Sequence, residues 1–305
     1  METWKQDCHL CPRECGADRS GGKQGVCKSG PEARVSRASL HYWEEPCISG
    51  ERGSGTVFFS GCGLGCVYCQ NHRISGAKMG KTVTVEELSR LFGLIQEKGA
   101  ENINLVTPDH YAPVIMEALL LAKKEGLYLP VVYNCSGYEK TETLCRLEGY
   151  VDIYLTDFKY MDSSLAARYS HAPDYPGRAM EALTEMVRQC GDAVFDEGGI
   201  MRRGVIVRHL LLPGCVNNGQ RVLREVFGKF GNQIYYSLMN QYTPCVQEDR
   251  YPELCRRVTC REYDALVDYA LELGIENGFI QEGETSLESF IPDFEDSGFL
   301  EEILP

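Results

Sequence analysis

The stretch Cys62-Gly-Leu-Gly-Cys66-Val-Tyr-Cys69 sets three thiols within eight residues. Three thiolates so close in sequence can converge on one soft metal centre. Gly61, Gly63 and Gly65 let the backbone curl around it and leave amides free to hydrogen-bond to sulfur. A closed structural zinc site takes four ligands. Three cysteines at x3 and x2 spacing suit a 4Fe–4S cluster with one iron left open. His72 could supply a fourth ligand, so zinc stays open on spacing alone. A second set, Cys8-x2-Cys11-x3-Cys15-x11-Cys27, offers four soft ligands on a glycine-rich scaffold. Either a tetrahedral zinc site or an auxiliary 4Fe–4S cluster would use such a set, and spacing does not separate them. His9 is a spare ligand there, and Cys47 is expected within reach of either set. Cys245, Cys255 and Cys260 have wider, irregular gaps and read as unligated thiols. The remaining cysteines read as small buried hydrophobes.

The rest of the composition narrows what such thiols can be for. The chain has 15 cysteines, 44 acidic and 31 basic residues, and a formal charge of −13. That charge repels phosphate backbones and anionic lipid heads, so nucleic-acid and membrane partners are not expected. No apolar run approaches the ~18 residues of a membrane span. The first residues carry no apolar signal segment, which predicts a cytoplasmic protein. In a reducing compartment, clustered cysteines are metal ligands or catalytic thiols more often than disulfides.

The elements that must position these residues alternate. Strands are expected at 56–60, 102–107, 129–134, 151–157, 204–212 and 234–238, from short apolar, β-branched runs. Helices are expected at 84–98, 112–124, 141–147, 163–169, 178–189 and 221–230. Thr84 with Glu87, and Thr259 with Glu262, form capping boxes. The first opens a helix with the stripe Val85, Leu88, Leu91, Phe92 and Ile95. The second opens one with the stripe Tyr263, Leu266, Val267, Ala270 and Leu271. Strands with little polar alternation, joined by helices, predict a parallel α/β sheet. Six βα units fit either an open partial barrel or a doubly wound sheet. Residues 1–50 lack this rhythm and read as a Cys-rich N-terminal metal-binding segment. Residues 51–305 then hold the α/β unit and a C-terminal extension. The glycines at 61, 63 and 65 open no helix, so they are no dinucleotide fingerprint. A G-x-S-x-G elbow is also absent from the sequence.

The C-x3-C-x2-C loop after the first strand, with Tyr68 before its last cysteine, resembles the radical S-adenosylmethionine (SAM) superfamily. Asp157-Phe-Lys159 and Arg208-His-Leu-Leu-Leu-Pro-Gly214 are similar to the branch that includes the pyruvate formate-lyase activating enzyme. Cys8-His-Leu-Cys11-Pro-Arg-Glu-Cys15, Gly25-Val-Cys27, Tyr133-Asn-Cys-Ser-Gly-Tyr138 and Phe290-Ile-Pro-Asp-Phe294 narrow the likeness to an activating-enzyme-like iron–sulfur subgroup. The resemblance covers nearly the whole chain. It implies a partial (βα)6 TIM-like barrel with an irregular Cys-rich N-terminal segment. It also implies that Cys62, Cys66 and Cys69 bind a 4Fe–4S cluster whose open iron chelates SAM. One electron then splits SAM, and the 5′-deoxyadenosyl radical takes a hydrogen atom from a substrate. The cofactor carries that chemistry, and the protein positions it.

The same resemblance implies roles at strand ends. Tyr68 packs near the adenine. Lys159 pairs with the methionine carboxylate, and Asp157 orients Lys159 or binds a ribose or cation. Arg208 lies beside the cofactor, with Asn134, Ser136 and Gln241 near it. The Gly-Gly-Glu common after the second strand is replaced by Leu105-Val-Thr-Pro-Asp-His110, where Thr107 or carbonyls freed by Pro108 take over. Asp109 and His110 read as a helix cap and a solvated side chain. Asn134-Cys-Ser-Gly137 stands where the activating enzyme has Asp-Thr-Asn-Gly, which removes a negative charge.

Three functions follow as expectations. The first is an activating enzyme acting on a glycyl radical enzyme, with flavodoxin or ferredoxin as electron donor. The second is radical modification of another protein, a peptide or a small molecule. The third is a non-catalytic zinc-binding interaction module.

Overall fold

A computed structural model describes residues 3–246, 249–281 and 292–304. Ten strands lie in one sheet among these residues. They are β1 (Ala33–His41), β2 (Ser54–Phe59), β3 (Lys81–Val83), β4 (Ile103–Val106), β5 (Val131–Cys135), β6 (Ile153–Asp157), β7 (Val194–Phe195), β8 (Met201–Leu210), β9 (Tyr235–Met239) and β10 (Gly278–Ile280). The sheet order is β10-β9-β8-β6-β5-β4-β2-β1-β3, with β7 paired to β8. Every neighbouring pair from β2 to β10 is parallel.

This order decides between the two architectures the sequence left open. A doubly wound sheet reverses its strand order at a switch point. Here the parallel strands advance in one direction, and right-handed crossovers therefore keep the helices on one face. The sheet curls with its other face inward and stays open, since β10 and β2 do not pair. The architecture is a partial (βα)6 barrel.

Local sequence builds the elements as expected, with small differences. Both capping boxes form, at Thr84–Glu87 and Thr259–Glu262. Leu88, Leu91, Phe92 and Ile95 are buried, as are Tyr263, Leu266 and Ala270, but Leu271 is exposed. The second stripe therefore ends one position earlier than its period suggested. Strand β1 lies within residues 1–50, where no strand was expected. It runs antiparallel to both β2 and β3, with a bulge between Val35 and Arg37. The bulge breaks the alternation that would have announced it. After β1, the helix Pro46–Ser49 turns inward, and Cys47 and Ile48 pack with Val132, Ile153, Leu155, Met201 and Ile206. This apolar group fills one end of the barrel interior. Cys47 thus belongs to the floor and not to either cysteine set.

Parallel pairing brings the carboxyl ends of β2, β4, β5, β6, β8 and β9 to one rim. Asp157 is paired in register with Arg208, and Val106 with Asn134.

Candidate functional site

The rim opens into a cavity of about 380 Å³. Cys62, Cys66 and Cys69 line it, together with Tyr68, Thr107, Asn134, Ser136, Asp157, Lys159, Arg208 and Gln241. Every residue that the family resemblance placed around the radical chemistry thus meets in one concave site. Its size falls in the range of small-molecule sites, roughly 300–1,000 Å³.

The cysteine loop follows β2 directly. Gly61 (φ +91°) and Gly65 (φ +64°) supply the left-handed turns that curl it. A Cβ on Gly61 would come within 2.6 Å of the Cys27 carbonyl oxygen. The Leu64 amide donates to Cys62 Sγ at 3.3 Å, and Ser170 Oγ donates to Cys66 Sγ at 3.0 Å. Ser170 Oγ also lies 2.8 Å from the Tyr160 hydroxyl, which lies 2.7 Å from that of Tyr68. Sulfur and aromatic ring are therefore held by one chain of contacts.

Burial, Asp109 and Cys66 push the Cys62 thiol up. Burial and Cys66 push Cys69 up to about 12, against an opposing pull from Lys159. Grouped thiols of this kind keep their protons unless a metal replaces them. Among the described residues, no three Cys, His, Asp or Glu side chains converge tightly enough for a single metal ion. A multi-iron cluster binds each thiolate to a different iron and so holds its sulfurs farther apart. Three thiols on one loop, all lining the cavity, are the donor set that a 4Fe–4S cluster with one open iron would use. His72 is exposed and does not line the cavity.

At the end of β6, Lys159 Nζ contacts Asp157 Oδ2. Burial alone would lower the lysine, but Asp157 and Cys66 outweigh it and hold it well above its usual value. The segment is pinned from behind. Tyr175 Oη accepts from the Lys159 amide at 2.9 Å and donates to the Ser136 carbonyl at 2.8 Å. Asn218 Nδ2 donates to the Lys159 carbonyl at 3.0 Å. Gly137 is obligatory beside them, since a Cβ there would meet the Asp157 carbonyl oxygen at 2.1 Å. Thr107 sits at φ +57°, a strained conformation for a β-branched residue, and its amide donates to the Asn134 carbonyl.

Arg208 has partners that the sequence did not suggest. Its Nε and Nη2 donate to Glu45 at 2.8 and 2.5 Å, and Nη2 also contacts Glu44 Oε2. Glu44 Oε1 accepts from Asn104 Nδ2 at 2.9 Å and from Asn134 Nδ2 at 3.4 Å. Burial would raise Glu45, but Arg208 and Ser237 hold its carboxyl below the ordinary range. Glu44 and Glu45 enter on the turn after β1, outside any periodic element, so only their adjacency was visible. Gln241 Oε1 accepts from Gln281 Nε2 at 3.0 Å, and the Gln241 carbonyl accepts from Gln70 at 2.8 Å. Ser136 Oγ donates to Glu139 Oε1 at 3.3 Å.

Two readings are corrected here. His110 is not a solvated side chain: it is fully buried, 3.2 Å from Asp109 Oδ1 and 2.8 Å from the Ser60 carbonyl. Asp109 is buried beside it and does not act as a helix cap. Of the looser cysteines, Cys245 Sγ lies 3.8 Å from the Cys69 carbonyl, and Cys255 donates to the Tyr251 carbonyl. Phe290 and Ile291 of the tail motif lie outside the described residues, whereas Phe294 packs edge-on against Phe58.

The N-terminal four cysteines gather beside this loop. Cys8, Cys11 and Cys27 are buried, and Cys15 is exposed. Arg13 ties the segment to the site, donating to the carbonyls of Gly63, Leu64, Ser170 and His171.

The model of the radical SAM superfamily matches residues 56–201. An uncharacterised protein of Methanocaldococcus jannaschii is 28% identical over 275 residues, 88% of this chain and 74% of that protein. The pyruvate formate-lyase-activating enzyme of Clostridium pasteurianum is 30% identical over 177 residues, 54% of this chain and 65% of that enzyme, just under two thirds of its length. Among solved structures, HydG, a maturase of the [FeFe]-hydrogenase, matches with a TM-score of 0.49 and 18% identity over 78% of this chain and 53% of its own. Methylornithine synthase matches with a TM-score of 0.43 and 14% identity over 80% and 77%. No helix among the described residues is long and apolar enough to cross a membrane. The stretch that the radical SAM superfamily model matches, residues 56–201, carries both the cysteine loop and the Asp157–Lys159 rim.

Proposed function

We propose that this chain cleaves SAM reductively at the rim cavity and directs the resulting radical onto a substrate entering by the same mouth. The observation that carries the reading is the convergence of Cys62, Cys66 and Cys69 with Tyr68, Asp157 and Lys159 on one cavity. A 4Fe–4S cluster bound there would supply the electron that splits SAM and releases a 5′-deoxyadenosyl radical.

The chain's own residues do the rest. Cys62, Cys66 and Cys69 hold the cluster, and the Leu64 amide and Ser170 hydroxyl orient two of their sulfurs. Lys159 receives the methionine carboxylate as a flexible point charge. Asp157 aims it, and Tyr175 and Asn218 fix the backbone that carries both. Tyr68 presents a ring whose hydroxyl is already engaged, so its face is fixed for the adenine. Arg208, Asn134, Ser136, Thr107 and Gln241 line the remaining wall, where donors and acceptors for the ribose and substrate lie. Flavodoxin or ferredoxin is the class of electron donor such chemistry uses. By similarity to the activating enzyme of C. pasteurianum, the substrate is a glycyl radical enzyme.

The test is anaerobic. The reconstituted full chain, given SAM and dithionite, is expected to yield 5′-deoxyadenosine, and the Cys66→Ala variant none. No nucleoside from cluster-loaded protein would overturn the reading. Zinc at full stoichiometry on the 62–69 loop would support an interaction module instead. If nucleoside forms but no glycyl radical appears on an added glycyl radical enzyme, modification of a peptide or small molecule takes the place of the activase role.

A further inference from the structure

The sulfurs of Cys62 and Cys66 accept hydrogen bonds of different kinds. Cys62 Sγ accepts from the Leu64 amide, whose proton has one direction only. Behind Cys66 stand three hydroxyls in series. Ser170 Oγ lies 3.0 Å from Cys66 Sγ, Tyr160 Oη 2.8 Å from Ser170 Oγ, and Tyr68 Oη 2.7 Å from Tyr160 Oη. All three residues are buried, Ser170 completely.

The backbone holds this series in place. Ser170 ends the helix Ser163–Ser170, and its carbonyl accepts from Arg13 at 3.0 Å. The Val67 amide donates to the Tyr169 carbonyl at 2.8 Å, which ties that helix end to the cysteine loop. Tyr160 follows Lys159 on the strand end that Tyr175 and Asn218 pin. Its ring packs edge-on against Tyr175, with centroids 5.3 Å apart.

Each hydroxyl carries one proton, so the three contacts can be satisfied together in only two directions. With a proton on Cys66, the series can run from Cys66 to Ser170 to Tyr160 to Tyr68. A Cys66 thiolate can only accept. Ser170 then donates to Cys66, Tyr160 to Ser170, and Tyr68 to Tyr160. A mixed assignment leaves two buried oxygens in contact with no proton between them, which costs the full penalty of an unmade bond. A metal on Cys66 therefore turns all three O–H groups toward the sulfur. Hydrogen bonds aligned in series polarise one another, so the sulfur feels more than its single contact. A donor at a cluster sulfur favours the reduced state, because reduction adds negative charge there.

We infer that Ser170 and, through it, Tyr160 are positioning residues that raise the reduction potential of a cluster on Cys66. The inference rests on the cluster site of the proposed function and adds what makes that cluster easier to reduce. Lys159, Cys62 and Cys69 also lie in electrostatic reach of Cys66, and none of them changes in the variants that test it.

The test is a reductive titration of the reconstituted full chain without SAM, followed by electron paramagnetic resonance. The signal to follow is the one that the Cys62→Ala/Cys66→Ala/Cys69→Ala variant lacks. Ser170→Ala should shift its midpoint to more negative values. Tyr160→Phe removes a hydroxyl that does not touch the sulfur, and it should shift the midpoint the same way by less. The double variant should match Ser170→Ala alone, because Tyr160 acts only through Ser170. An unchanged midpoint in either single variant, or shifts that add, would overturn the inference. Should Ser170→Ala bind no cluster, Tyr160→Phe decides by itself: a negative shift supports the series and an unchanged midpoint contradicts it. A full chain with no such signal would overturn both this inference and the proposed function. A normal signal with the same midpoint in every variant overturns this inference alone.

Discussion

The two ends of the barrel interior are built from the same strands and differ in kind. On β5, Val132 packs in the floor and Asn134 lines the mouth. On β6, Ile153 and Leu155 are floor and Asp157 is mouth. On β8, Ile206 is floor and Arg208 faces the cavity. Two residues along a strand return to the same face, so each strand changes from apolar to polar within one repeat of its pleat. At the floor, side chains are close-packed around the Pro46–Ser49 helix. At the mouth, charges are paired, thiols are grouped and Thr107 is strained. Stability and chemistry are thus separated along the barrel axis.

Substitutions at each end should break that division differently. The largest effect is expected at the mouth: Cys66→Ala should reduce 5′-deoxyadenosine formation to background while leaving the urea midpoint of the metal-free protein nearly unchanged. A large loss of stability there would show that the loop is structural. At the boundary, Arg208→Met strands Glu44 and Glu45 and should cost about 3–5 kcal/mol in denaturant unfolding. Replacing all three by Glu44→Gln, Glu45→Gln and Arg208→Met should recover most of it. Failure to recover would mean that the arginine acts through packing and not through charge. In the floor, Ile48→Ala should cost about 2–4 kcal/mol and leave SAM affinity unchanged, as measured by unfolding and equilibrium binding.

The most graded effect is a pH dependence. Burial, Asp109 and Asp157 raise the Glu139 carboxyl to about 8, against 4.5 for the free side chain. The folded protein therefore keeps a proton that the unfolded chain has released. Stability from this group is fully present below about 4.5 and falls as pH rises toward 8, by about 1.4 kcal/mol for each pH unit at most. Glu139→Gln should flatten that part of the curve. An identical slope in the variant would assign the dependence elsewhere.

Much of this plan was legible in the residues. The six core strands are apolar runs with clear boundaries, and both capping boxes are local enough to need no tertiary context. The mouth residues were visible because the family resemblance marked them and most of them sit at or just beyond the ends of expected strands. What escaped was the contribution of residues 33–50. Strand β1 is interrupted by a bulge, and β3, β7 and β10 have only two or three residues each. Glu44 and Glu45 lie in no periodic segment, and an acidic pair in a loop looks solvated until a buried arginine is found opposite. His110 was misread for the same reason: nothing local shows that the Ser60 carbonyl waits to accept it.

The central claim is that the 62–69 loop holds a cluster with one iron open to SAM. Electron paramagnetic resonance of the reduced full chain, recorded before and after adding SAM, tests it most directly. The account predicts a spectrum that changes on SAM addition and loses that change in the Cys62→Ala/Cys66→Ala/Cys69→Ala variant. A reduced cluster whose spectrum is indifferent to SAM would contradict it.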